Sequence, residues 1–176
     1  MPTLAEVQEG FYASLLTVPF HRHLGVVIER TAAGVRVAIP PKPEIVGPDG
    51  QHSVAAIYTL GDIASSVQVC EAIAPRALEL EMGAVFLTLS ASFQPGAPAR
   101  GTLEATASLV SGLDQEVGRA KESKKATVEV AATVAGEDDG PAAEHRTRFY
   151  VRFMEVSRIQ EMAPASSEIS RFHGLL

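Results

Sequence analysis

Between Val54 and Cys70 the chain runs VAAIYTLGDIASSVQVC, small and apolar throughout, with Asp62 as its only charged residue. A helix built from this run is apolar on most of its faces, so it cannot lie on a surface and has to be enclosed. The other long patterned segments have the period of strands, so the enclosing material is sheet. An unpaired carboxylate inside such a helix costs on the order of several kcal/mol. Asp62 is therefore the first candidate for chemistry.

The flanking segments specify how the enclosure is built. Thr3 and Glu6 form a capping-box pattern ahead of Leu4, Val7, Phe11 and Leu15, which predicts a short helix over 1–18, ended by Pro19. The stretches 25–30 and 34–39 read as a hairpin, with Val35, Val37 and Ile39 inward and Arg36 outward. A rigid passage with Pro40, Pro41, Pro43, Gly47, Pro48 and Gly50 follows, and Ser53 is the expected N-cap of the long helix over 53–73.

Beyond the helix the period becomes two. Val85, Leu87, Leu89, Ala91 and Phe93 alternate with polar residues, as do Leu103, Ala105, Ala107 and Leu109, then Val128, Val130, Ala132 and Val134, then Thr147, Phe149, Val151 and Phe153. Four consecutive strands imply an antiparallel meander. Arg146, Arg148 and Arg152 face out of the last strand, to protect an edge or to pair with the acidic loop 137–139. The expected fold is α+β: a curved antiparallel sheet of about six strands wrapped around one long central helix, with a short N-terminal helix. One domain covers 1–157, and 158–176 is a tail, mobile or docked on the surface. An open strand edge in such a sheet invites a second copy, which predicts a homodimer or homotetramer.

Composition narrows the function. The chain has 176 residues and a formal net charge of -6, which argues against nucleic acid as a partner. Cys70 is the only cysteine, which fits a reducing compartment and removes thiolate metal sites, and His21 and His23 alone make a poor metal site. There is no secretory pattern and no apolar run of about 20 residues, so the expectation is a cytoplasmic protein off the membrane.

Three stretches carry a resemblance: PFHRHLG before the first strand, GPDGQHSVAAIYTLGDIASS around the helix start, and FLTLSASFQPGAPARGTLEATASLV over the next two strands. Together they resemble the PaaI-like acyl-CoA thioesterases of the hotdog superfamily, over about residues 19–154. In that family a loop ending in His-Gly-Gly opens the central helix, and an acid nine positions after the His is nucleophile or general base. Here Asp62 stands nine after Ser53 and ten after His52, Val54 and Ala55 stand where the glycines would be, and Gly47 or Val46 falls where the family has an Asn.

The resemblance implies an acyl-CoA thioesterase acting on a small, medium or aryl acyl group, with no cofactor beyond the coenzyme A of the substrate. Asp62 would be nucleophile or base, the backbone N–H groups of Ser53 and Val54 an oxyanion hole, and His52 a polarising group. Arg100, Arg119, Lys121, Lys124 and Lys125 are the cations for the nucleotide phosphates, and Tyr58, Ser65, Ser66, Met82 and Phe86 the candidate substrate contacts. Ser65 and Ser66 are equally placed to hold Asp62 as a structural acid. Two other functions fit the same fold: a non-catalytic binder of acyl-CoA or another lipophile, and an enoyl-CoA hydratase or dehydratase using Asp62 with His52.

Overall fold

The computed structural model describes residues 2–32, 34–110, 124–137 and 140–162. Helix α1 (Leu4–Thr17) opens with the expected capping box: the Glu6 N–H donates to the Thr3 hydroxyl at 3.3 Å, and the Thr3 N–H donates to Glu6 Oε2 at 2.7 Å. Its buried stripe is Val7, Phe11 and Tyr12. Pro19 ends α1 and at once begins a second helix, α2 (Pro19–Leu24), at whose first position the missing N–H has no bond to lose. His21 and His23 thus sit on a helical turn, closed by Gly25 at φ 70°.

Strands β1 (Val27–Thr31) and β2 (Gly34–Ile39) form the expected hairpin, Val27 opposite Ala38. The central helix, α3 (Val54–Glu79), is capped by Ser53, whose hydroxyl accepts from the Ala56 N–H at 3.2 Å. It runs six residues past Ile73. Ala74 and Ala77 continue its buried face, while Pro75 lies on the exposed side, where the helix bond it removes borders water. Strands β3 (Gly83–Pro95), β4 (Leu103–Leu109), β5 (Lys125–Ala135) and β6 (Pro141–Met154) follow, then α4 (Val156–Met162).

All six strands join one antiparallel sheet in the order β1-β2-β4-β5-β6-β3, and α3 packs against strands β2 to β6. The expected four-strand meander is corrected: β4-β5-β6 is a meander, but β3 lies beyond it on β6, with Gly83 opposite Met154 and Pro95 opposite Ala143. The segment PGAPARG is therefore a strap across the strand ends, not a hairpin turn. The Gly96 and Ala97 N–H groups donate to the Ala142 and Pro141 carbonyls at 2.8 and 3.0 Å, and the Glu137 N–H donates to the Arg100 carbonyl at 3.0 Å. A side chain at Gly96 would put its Cβ 2.2 Å from the Pro141 carbonyl oxygen, so only glycine lets the strap lie this close.

The inward set expected for β3 holds at one end only. Phe86 and Ala84 face the core, whereas Leu87 and Leu89 are 66% and 57% exposed. A bulge between Thr88 and Ser90 reverses the phase, so Phe93 again turns to the helix, against Tyr58 and His145. The arginine row also reads differently. β6 is an interior strand, and Arg146 and Arg148 pair with Glu129 on β5 at 3.3 and 3.5 Å. The first residues of the expected tail form part of α4, held down by Ile159 at 1% exposure; 163–176 lie outside the described residues.

The core has two parts along α3. Leu60, Ile63, Ala64 and Val67 pack with α1, β2 and β4, and Val69, Ile73 and Ala77 pack with Val128, Val130, Phe149, Val151 and Phe153. Cys70 is fully buried, and burial pushes its thiol far up. A polar clasp pins α1 to α3: the Tyr12 hydroxyl donates to Glu71, and Arg30 Nη2 donates to Gln8 Oε1 at 2.7 Å and pairs with Glu71 at 3.1 Å.

Candidate active site

In its first half helix α3 is left uncovered along a stripe on one side. Val54, at 61% exposure, and Tyr58, at 39%, share that stripe with the half-buried Asp62 and Ser66, at four-residue spacing. The Asp62 carboxylate accepts no hydrogen bond from the described residues. Ser65, one candidate to hold it, donates instead to the Gly61 carbonyl at 2.8 Å, as a helical serine does when its own turn offers the acceptor. Burial raises the Asp62 carboxyl above the ordinary aspartate range, and two nearby groups, His145 on β6 and His21 on α2, act in the opposite direction. A carboxylate that is partly desolvated and unshared is a stronger base than one in water.

His145 is absent from the sequence-derived site and is central to the structural one. It is 1% exposed, its ring stands 5.0 Å from that of Tyr58, and burial lowers its basicity while Asp62 acts to raise it. Gly61 makes room for it: a Cβ there would come within 3.0 Å of the His145 Cβ. Extending the alternation Thr147, Phe149, Val151 two residues back reaches His145, so the period-two pattern contained the signal.

The start of α3 borders a cleft of about 600 Å³ lined by Phe20, His23, Val46, His52, Ser53 and Val54, among others. The Ser53 N–H is not free for an oxyanion, because it donates to the Ile45 carbonyl at 3.4 Å. The open donors of the first turn are the N–H groups of Val54 and Ala55, which have no partner among the described residues. His52 is 94% buried by its 6% exposure, and its Nε2 donates to the Gly101 carbonyl at 2.6 Å, tying the helix entry to the strap.

The remaining sequence candidates scatter. Met82 sits at the far end of α3, its N–H donating to the Ala77 carbonyl, and Phe86 is packed between Phe11 and Phe149. Arg100 donates to the Asp49 carbonyl at 3.2 Å by the Ala135 end of β5, whereas Lys124 and Lys125 lie at that strand's other end, some ~33 Å away by strand rise. They are not one patch within a chain. Arg119 and Lys121 lie outside the described residues.

No family model matches this sequence, and no curated protein matches it by sequence. Solved structures do match. A Pseudomonas aeruginosa protein described as a probable thioesterase superposes with a TM-score of 0.68 at 18% identity, over 88% of this chain and 99% of that one. A thioesterase of Haemophilus influenzae gives 0.59 at 15% identity, over 87% and 92%. A Bacillus halodurans protein crystallised with CoA gives 0.55 at 20% identity, over 84% and 89%. These likenesses, with the curved six-stranded sheet around α3, establish the hotdog fold. At such identities they carry the architecture and leave the chemistry to the residues.

Proposed function

We propose that the chain is an acyl-CoA thioesterase in which the Asp62 carboxylate activates water, or attacks directly, at the thioester carbonyl. The observation that carries this reading is the Asp62 carboxyl itself: partly buried, raised in affinity for protons, unshared among the described residues, and set on the uncovered side of the central helix's first half. As water adds to the acyl carbon its proton passes to Asp62 and the carbonyl oxygen becomes an oxyanion; collapse of the adduct breaks the C–S bond, and the departing coenzyme A thiolate takes that proton from Asp62 and leaves as the thiol, with the acyl group released as the acid. The hotdog neighbours described as thioesterases, and the one crystallised with CoA, support this choice of substrate class.

The oxyanion donors fall to Val54 and Ala55. Along one helix they stand about 11–12 Å from Asp62 at 1.5 Å per residue, too far to serve the same carbonyl, whose donors must lie within about 3 Å of the oxyanion. A working centre then takes its base from one copy and its donors from another, which makes the enzyme a homodimer at least. Supporting this, β3 is a sheet edge with one side unpaired, and Leu87 and Leu89 are exposed on it. Lys124 and Lys125, with Arg119 and Lys121 in the same run of sequence, are the cations for the nucleotide phosphates.

The test is thiol release from a panel of acyl-CoAs, acetyl to palmitoyl and aryl, by the wild type and Asp62→Asn. Release that disappears in the variant is the expected result. Binding of acyl-CoA without release in the wild type would overturn it in favour of a non-catalytic binder, and water addition to an enoyl-CoA without release would identify a hydratase.

A further inference from the structure

The His145 ring has one buried atom with no evident task. Tyr58, Gly61 and Asp62 occupy one face of α3 at i, i+3 and i+4, and the ring is pressed onto that face, with Gly61 left bare beneath it. Its Nδ1 lies 3.0 Å from the Thr147 hydroxyl, and its Nε2 is buried with no partner. Thr147 is fully buried and its hydroxyl has no other partner among the described residues. If Nδ1–H donated to Thr147, both the hydroxyl hydrogen and the Nε2 lone pair would be left unmet. If the hydroxyl donates to Nδ1, only one group is left unmet: the Nε2–H of a neutral imidazole.

We propose that Thr147 locks His145 in the Nε2–H tautomer, and that this imidazole is a positioning residue for Asp62, its fixed polar hydrogen beside that helix face favouring the ionised carboxylate. Its effect on turnover rests on the reading of Asp62 as base; the tautomer and its effect on the carboxyl do not. The groups that act on Asp62 are His145 from β6 and His21 from α2, and His21 is committed through Nδ1 to the Leu15 carbonyl at 2.7 Å. Burial holds the imidazole toward its neutral form, as the tautomer argument requires.

The experiment is an NMR titration of the full chain, reading the His145 ring nitrogens and the Asp62 side-chain carboxyl, alongside the pH profile of thiol release. Wild-type His145 is expected as the Nε2–H tautomer. His145→Leu should raise the Asp62 midpoint by about half a pH unit or more, and His145→Gln, which keeps an N–H donor, should restore much of it. The acid limb of kcat should move with the midpoint while KM stays. Thr147→Val, a smaller change to the fold, should mix the tautomers and shift the midpoint in the same direction by less. An Nδ1–H tautomer in the wild type, or an Asp62 midpoint indifferent to both His145→Leu and Thr147→Val, would overturn the proposal. A shifted midpoint in a protein that releases no thiol would uphold it and reject the thioesterase reading instead.

Discussion

The two halves of α3 draw their buried faces from small and aliphatic residues and do different work. From Val67 to Glu79 the helix packs Val69, Ile73 and Ala77 against Phe149, Val151 and Phe153, and its proline, Pro75, faces water. From Val54 to Ser66 it carries a bare stripe and an unshared carboxylate, and a histidine with an unmet nitrogen is packed onto it from β6. The packed half contributes burial at about 25 cal/mol per Å² of apolar surface. The open half gives up part of that contribution, and a fold tolerates such a cost where chemistry uses it.

The sharpest way to break this comparison is Asp62→Asn. Thiol release should fall by about 10²–10⁴-fold, the usual worth of a positioned base. The same variant should raise stability. Because burial lifts the folded carboxyl above its unfolded value, the folded state binds more protons just above the ordinary aspartate range. Wild-type stability therefore declines as pH rises through that window. Thermal melts should show a higher Tm for Asp62→Asn at pH 7 and a smaller gap at acid pH; a lower Tm at pH 7 would remove the contrast between the halves.

In the packed half, Phe149→Ala should cost about 3–5 kcal/mol, read as a urea midpoint, because the ring is 1% exposed and packs edge-on against Phe86. Gly61→Ala falls in the open half. Its Cβ would press on His145 at 3.0 Å, and overpacking costs about 1–3 kcal/mol, offset by about 1 kcal/mol of helix propensity. The net destabilisation should be smaller than for Phe149→Ala, while the Tyr58–His145 ring geometry, seen in ring-current shifts, should change. Smallest of all, Ser53→Ala should cost about 1 kcal/mol by removing the acceptor for the Ala56 N–H.

The same contrast explains what could be read from sequence. Elements defined by local chemistry were legible: the Thr3 and Ser53 caps, the hairpin at Gly34, the inward phase of β4, β5 and β6, and the isolation of Asp62. What depends on distant pairing was not. The placement of β3 beside β6 is settled by a strap in which Gly96 approaches the carbonyl of Pro141, more than forty residues away, and the bulge at Leu89 leaves no mark in an alternation that looks unbroken. His145 stands 83 positions from Asp62, and only the fold makes them neighbours. Ser53 looked like an oxyanion donor because its N–H is free in an isolated helix, but Ile45 takes it in the folded chain.

The burial of Cys70 has a practical side. It is the only thiol in the chain, it has no accessible surface, and it resists ionisation, so thiol-reactive dyes find nothing to label in the folded protein. A colorimetric thiol assay on this protein starts from a blank baseline, and a single cysteine introduced on β3 or at the mouth of the cleft would be the sole point of attachment for a fluorophore or a cross-linker.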